Sequence, residues 1–366
     1  MPEPNFISML TELTSLNLLE AAGMVLVFVG VLFWGSVVVP GRRIKGPDTE
    51  GNTREYKLNG LALFLMTAFV IALVQSMGWF SLSVLYSQFA ALFVAANVFA
   101  FLLATWLFFQ ATRIRETTTG FWRGYFVGVL SNPTWLGVDI KLFSYRPSLI
   151  GLALINASFA VTQYEIYGEL TLAMMLYQIF TFLYVFNYFQ FEQGMVHTWD
   201  MISERFGWML IWGDYVLVPF FYCLVGWWLV HPSDVLHPVA AAAIVLLFGF
   251  GFWLFRGANQ QKHRFKRNAD TRIWGQPART LEGRLLIYGF LVIGRHLNYT
   301  GEICVYFSFA LTTGFESWVP YLLPAWLTVL LCHRSLRDEQ RCRAKYGDLW
   351  TRYKQRVRYS MLPFVY

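Results

Sequence analysis

Residues 236–267 read LHPVAAAAIVLLFGFGFWLFRGANQQKHRFKR: an apolar run from Leu236 to Phe255, then a dense basic stretch. About 20 such apolar residues are what a helix needs to cross the hydrocarbon of a bilayer. In lipid an isolated segment can satisfy its own backbone groups only as a helix. The charge that follows, Lys262, His263, Arg264, Lys266 and Arg267 within six residues, suits either a membrane-surface patch or a clamp for an anion.

The same alternation recurs on both sides of this stretch. Apolar runs lie at Leu18 to Val39, Leu58 to Trp79, Ser83 to Phe109, Ser148 to Val161, Leu170 to Phe191 and Gly207 to Val230, and two or three more fit between Leu285 and Leu331. The expectation is an all-α polytopic membrane protein with nine or ten transmembrane helices. Composition agrees: 56% of residues are hydrophobic, 19% aromatic and only 14% charged, against about 25% charged in soluble domains. The opening MPEPNFISML has no positively charged n-region, so the first run is expected to be retained and not cleaved.

The net charge of +7 is concentrated in the segments Arg42 to Lys57, Arg113 to Arg146, Arg256 to Arg284 and the C-terminal tail. By the positive-inside rule these face the cytoplasm, the C-terminus with them, while the loops holding Glu165 and Glu169 or His231 to Asp234 face the other way. Such short inter-span loops do not form the separable basic domain that nucleic acid would require. Cys223, Cys304, Cys332 and Cys342 show no C-x-x-C pairing, and the six histidines no H-x-x-x-H or H-E-x-x-H spacing, so neither a disulfide framework nor a metal site is expected. Gly249 and Gly251 form a lone G-x-G inside a span, and any nucleotide is bound without a Rossmann fold.

Polar residues inside apolar text are the functional clues. In residues 120–156 Asn132-Pro133, Asp139, Lys141 and Arg146-Pro147 interrupt a hydrophobic passage, which reads as a broken, partly re-entrant cavity wall or as a snorkelling interfacial helix. Phe121 to Ile140 within it fits a further span, a re-entrant segment or an interfacial helix. Between Tyr184 and Tyr222 stand Asn187, Glu192, Asp200, Glu204 and Asp214, and a carboxylate within a span, Asp214 above all, costs about 2.5–3.5 kcal/mol and marks a working site. Arg295, His296, Asn298, Tyr299 and Glu302 cannot face lipid and must line a pocket or an interface. The final segment, His333 to Tyr366, repeats cations at helical spacing, Arg334, Arg337, Arg341 and Lys345, with Asp338 among them. That surface suits phosphate and ribose, and it is expected to join the Arg295–Glu302 stretch in one polar pocket.

Three stretches, NQQKHRFK (259–266), LLIYGFLVIGRHLNYTGE (285–302) and HRSLRDEQRCRAKYGDLWTRYKQRVRYSMLPFVY (333–366), together resemble the sterol reductases of the Δ14, Δ7 and Δ24(28) type, a family that includes the sterol-reductase domain of the lamin B receptor. The likeness runs from Tyr56 onward. It implies a single membrane-embedded domain over 1–366, with sterol-side helices in 18–230 and an NADPH-binding part in 256–366. The implied NADPH contacts, in a cytoplasm-facing pocket, are Lys262, Lys266, Leu286, Arg295, Asn298, Tyr299, Asp338, Cys342, Lys345, Tyr346 and Tyr353. The implied reaction is protonation of a sterol C=C, most closely the Δ14 bond, followed by hydride transfer. Tyr184 is then the lead proton donor and Glu192, Asp200 and Asp214 supporting acids, and the partners are a sterol drawn from the bilayer and membrane lipid. Departures from the family pattern, Asn187, Glu204-Arg205, Gly301-Glu302, Phe290-Leu291 and GVLSNPT at 128–134, fall mostly at the sterol end. Two other readings fit the pattern of residues: a membrane methyltransferase using S-adenosylmethionine, and a non-catalytic sterol-binding protein. The host membrane is bacterial or that of the endoplasmic reticulum.

Overall fold

The computed structural model describes residues 14–46, 54–114, 120–231, 235–268 and 270–361. The opening decapeptide and much of the first basic loop lie outside these, as do Ser233 and Asp234. The chain divides into two compact units, 1–232 and 233–366. Among the described residues six helices are long and apolar enough to cross a membrane, and the protein is a helical, multi-pass membrane protein.

In the first unit α1 (Ser15–Val38) starts at Thr14, whose hydroxyl accepts the N–H of Asn17 at 3.2 Å. A hairpin of β1 (Arg42–Lys45) and β2 (Glu55–Leu58) leads to α2 (Gly60–Ser76), apolar but only 17 residues long. Helix α3 (Phe89–Ile114) buries Ala96, Ala100, Ala104 and Ala111 in one stripe and packs against α1. Small side chains let two backbones approach where lipid offers no hydrophobic driving force of its own.

Residues 120–139 form no span. A short helix, Phe121–Val127, is followed by a hairpin of β3 (Thr134–Trp135) and β4 (Val138–Asp139), turned by Leu136 and Gly137, both at positive φ. Asp139 then caps α4 (Ile140–Tyr167) by accepting the Leu142 N–H at 2.8 Å, and Gly168 ends that helix in the left-handed conformation.

Two expectations fail here. Arg146-Pro147 does not break the helix: α4 runs through Pro147. A proline removes one backbone bond, at about 3 kcal/mol, and tertiary burial of this face outweighs it. Nor do Lys141 and Arg146 belong to an exposed basic segment or a snorkelling helix; they are 1% and 2% exposed within α4 and add nothing to a cytoplasmic surface charge.

Helix α5 (Leu172–Gln190) is capped by Thr171. The span Trp208–Leu229 is α-helical to Trp212 and turns π-helical over Gly213–Phe221 before resuming at Leu224. Pro219 cannot donate and so leaves a gap in the α ladder; here, unlike at Pro147, the winding widens around it, beginning beside Asp214, the one carboxylate of this span. Such π segments recur at functional sites.

The second unit is organised on α6 (Pro238–Arg267) and α7 (Leu297–Leu311). They cross closely because Gly251 and Gly301 face each other's backbone; a Cβ on either would overlap it. Two tight hairpins, β5–β6 (Arg272–Ile273 with Gln276–Pro277) and β7–β8 (Thr280–Leu281 with Leu285–Leu286), occupy the connection. Then come α8 (Leu322–Tyr346) and α9 (Asp348–Arg356), separated by Gly347.

Candidate functional site

The C-terminal unit concentrates cations. Lys262 and Lys266 stand one turn apart on α6, and Asp338, Arg341, Cys342 and Lys345 share a face of α8. Lys266 lies within electrostatic reach of Lys262, Asp338, Lys345 and Arg341, and Cys342 within reach of Asp338, Lys262, Arg341 and Lys345. Among the described residues Lys262, Lys266 and Lys345 have no carboxylate within ion-pair distance.

The polar interruption before α7 joins this face. Arg295 approaches Glu339 at 3.7 Å and donates to the Val357 and Arg358 carbonyls at 2.7 and 3.0 Å, tying the start of α7 to the tail. His296 lies 4.0 Å from Asp338 and stacks on Tyr299, with ring centroids 5.1 Å apart and 9° between planes. Burial, and then the positive charge of Lys262, hold the imidazole below its usual range against the pull of Asp338. The ring is therefore neutral near pH 7, and its contact with Asp338 is not an ion pair.

Tyr353 is buried with Trp350 and Val357 in a small core that takes in Cys342 and Tyr346, and burial pushes its phenol up. The Lys345 ammonium and the Arg284 guanidinium sit 5.2 and 5.3 Å from the Tyr346 ring centroid. Of the residues expected to hold a cofactor, the structure thus gathers Lys262, Lys266, Arg295, Tyr299, Asp338, Cys342, Lys345, Tyr346 and Tyr353. Leu286 sits instead in an apolar cluster with Ile273 and Leu291, and Asn298 is half-buried at the start of α7 without a bond to the set. Glu339, tied to Arg295 and to Lys354 at 2.7 Å, was not among the expected site residues. Its place one position after Asp338 was the available signal.

The N-terminal unit gathers acids. Asp214 opens the π segment, and Asp200 sits on a short helix, Trp199–Ser203. The two carboxylates interact, and Lys141 lies within reach of both. Lys141 donates to the Glu204 and Met201 carbonyls at 2.6 and 3.3 Å, pinning α4 to the 199–204 turn. The Tyr215 hydroxyl is 3.2 Å from that of Ser144.

Glu192 is differently placed. It is 6% exposed; one carboxylate oxygen accepts Nε and Nη2 of Arg146 at 3.1 and 3.0 Å, and the other the Gly60 N–H at 2.9 Å. Arg146 also donates to the Ser36 hydroxyl and the Lys57 carbonyl at 2.7 and 2.8 Å. This clamp ties α1, α2 and α4 to the turn after α5. Tyr184 is half-buried on α5. One turn later on the same face the buried Tyr188 hydroxyl has no hydrogen-bond partner and lies in the field of Tyr145, Asp214, Asp200 and Glu192. Sequence reading missed Tyr188, since one more tyrosine in an aromatic helix carries no signal without its carboxylate neighbours.

The family described as "Ergosterol biosynthesis ERG4/ERG24 family" matches residues 7–366. The chain is 39% identical over 339 residues to a Delta(14)-sterol reductase of Methylotuvimicrobium alcaliphilum, covering 90% of this chain and 79% of that protein. It is 36% identical over 338 residues to the Delta(14)-sterol reductase of Arabidopsis thaliana, with 90% and 91% covered. The 7-dehydrocholesterol reductase of Xenopus laevis is 34% identical over 337 residues, with 86% and 71% covered.

Proposed function

Because the chain belongs to the ergosterol biosynthesis ERG4/ERG24 family of sterol reductases, an oxidoreductase family acting on sterol C=C bonds, we propose that it reduces the Δ14 double bond with NADPH. The observation that carries the cofactor assignment is the meeting of Lys262, Lys266, Arg341 and Lys345 around Asp338 in one unit. Cations at that density, of which Lys262, Lys266 and Lys345 have no carboxylate within ion-pair distance, suit phosphates, and Asp338 suits a hydroxyl or amide donor. Family membership displaces the methyltransferase reading. The choice of Δ14 over Δ7 follows the names of the more similar relatives.

When bound, NADPH supplies the hydride. Its binding falls to Lys262, Lys266, Lys345 and Asp338, with Arg295 holding the tail in place and the stacked His296–Tyr299 pair offering a flat neutral surface. Proton delivery falls to the N-terminal unit. Tyr184 donates, as the family likeness implies, and the Tyr188–Asp214–Asp200 cluster one turn away resupplies it, because a phenol with pKa near 10 needs acids behind it. Glu192, clamped by Arg146, keeps the helices in register for this. The six long spans, together with α2, α7 and the apolar half of α8, make nine, with the C-terminus on the cytoplasmic side.

The test is turnover in liposomes with NADPH and three sterols unsaturated at Δ14, at Δ7 or in the side chain, read by product mass in D2O. Reduction of the Δ14 substrate with one solvent deuterium per product supports the reading; no reduction of any sterol refutes it. Tyr184→Phe abolishes turnover with NADPH affinity unchanged, whereas Tyr188→Phe and Asp214→Asn slow it and move its pH profile. An active Tyr184→Phe enzyme transfers the donor role to the cluster.

A further inference from the structure

Two hairpins, one in each unit, turn in the same unusual way. Trp135 pairs with Val138 and Ile273 with Gln276, so each turn has two central residues, Leu136-Gly137 in one and Trp274-Gly275 in the other. All four have positive φ, 49° and 76° in the first and 49° and 78° in the second, which is type I′ geometry. The first central position of such a turn favours Asn, Asp or Gly, because a bulky side chain is strained there. Among the described residues one further non-glycine residue has positive φ, Glu282, and its carboxylate is engaged by the Arg352 guanidinium. Leu136 and Trp274 can form no such ion pair, and both are exposed. A Cβ on Gly137 or Gly275 would meet nothing within 4 Å, so both turns project away from the other described residues. In water a strained backbone carrying an exposed apolar side chain is unfavourable twice over, and a lipid surface removes the second penalty.

Neighbouring rings set the depth of each turn. Trp135, beside Leu136, stacks on Phe33 of α1 with centroids 4.9 Å apart and meets Trp106 of α3 edge-on at 6.0 Å. Trp274 meets Phe290 edge-on at 5.2 Å, and Phe290 meets Trp253 of α6 at 4.9 Å. Phe33, Trp106 and Trp253 each stand near the end of an apolar run, the runs closing at Val39, Phe109 and Phe255, with Arg42, Arg113 and Arg256 following. Trp106 and Trp253 are exposed on helices long and apolar enough to cross a membrane. Such positions are where hydrocarbon gives way to headgroups and where Trp is enriched. Each turn therefore continues the lipid-facing surface of the helices it lies against. The hairpin carrying Trp274 and its continuation present two exposed arginines, Arg272 and Arg279, against one carboxylate, Asp270, a balance that suits lipid phosphates.

We propose that the Leu136 and Trp274 turns are interfacial anchors, each seated among the headgroups and upper acyl chains of a phospholipid bilayer. Burial of the apolar tip in lipid offsets the strain of its backbone. Trp274 thereby holds to the membrane surface the connection between α6 and α7, and Leu136 holds the segment that leads into α4.

The experiment uses the full chain, grown with fluorotryptophan and reconstituted in phosphatidylcholine nanodiscs, and reads its fluorine resonances. Trp135→Phe and Trp274→Phe identify two signals by their absence; where one of these variants does not fold, the Tyr substitution at that position serves. The Trp135 signal reports on the Leu136 turn. A phosphatidylcholine carrying a nitroxide near the top of its acyl chain is expected to abolish both signals, and a water-soluble gadolinium chelate to leave both in place. Signals that survive the nitroxide and vanish with the chelate overturn the proposal, because the turns are then in water. Signals that survive both agents also overturn it, since protein then covers the tips, whether a second copy or another part of the chain. One signal lost to the nitroxide and the other to the chelate overturns it for the turn in water and upholds it for the other.

Discussion

The two units treat charge in opposite ways. In the N-terminal unit, charges are buried and matched: Arg146 and Glu192 pair at 3.0 Å with side chains 3% and 7% exposed, and Lys141 is 1% exposed with two carbonyl acceptors. In the C-terminal unit Lys262, Lys266 and Lys345 gather round one carboxylate without pairing to it. Matched burial makes geometry rigid, because removing either partner leaves a charge in a medium that cannot solvate it. Unmatched charge at a wet surface is tolerable without a ligand and favourable with an anionic one. Mutations in the first unit should therefore be felt as stability, and in the second as cofactor affinity.

The largest expected effect tests the first half of that contrast. Glu192→Ala strands Arg146 and removes the acceptor of the Gly60 N–H, so it should cost about 3–5 kcal/mol of stability, read as thermal unfolding in detergent. The double variant Arg146→Met/Glu192→Met should be less destabilised than either single one. If the single Glu192→Ala protein melts with the wild type, the clamp is not what orders these helices.

Next in size is Lys262→Ala. It should raise the NADPH dissociation constant about tenfold or more, the size of a lost charge-assisted bond, and leave the melting temperature without cofactor unchanged. NADH should bind more weakly than NADPH, since the cationic face exceeds what a pyrophosphate requires. An altered melting temperature with unaltered affinity would erase the distinction between the units.

How much of this was legible follows the same division. The C-terminal face could be read because its cations repeat at helical spacing in an otherwise apolar chain, and Lys262, Asp338 and Lys345 do come together. The N-terminal network was half visible. Asp214 stood out as a carboxylate in a span, but a string of letters cannot tell a snorkelling Lys141 from one sealed under a turn, nor show that Arg146 would find Glu192 46 positions away. Pro147 misled for a related reason: a local breaker loses where a whole face is buried. Tyr188 carried no mark at all, its distinction lying in neighbours from four other segments.

Asp338→Ala is a subtler probe of the C-terminal face. Removing the carboxylate takes away an acceptor yet leaves the cations less neutralised, so the two consequences for an anionic cofactor oppose each other. The net loss should be about three- to tenfold in NADPH affinity, with sterol binding intact. Loss of sterol binding with normal cofactor binding would mean that the face belongs to the sterol.

The smallest expected effect concerns Asp139, an acid at the edge of the N-terminal unit's buried charge. Burial, opposed mainly by its bond from the Leu142 N–H, pushes its carboxyl up to about 6, from an ordinary value of 3.8. The folded chain therefore holds a proton on Asp139 between those values where the unfolded chain has lost it. The resulting stabilisation is complete below the unfolded value and disappears as pH rises through about 6. Asp139→Asn keeps an oxygen for the Leu142 N–H and never ionises. It should match the wild type near pH 3 and exceed it at pH 8, by about 1 kcal/mol once partial solvent screening is allowed for. Melting curves of both proteins across that range decide the matter: a constant offset at every pH would show that the carboxyl charges as freely in the folded chain as in the unfolded one.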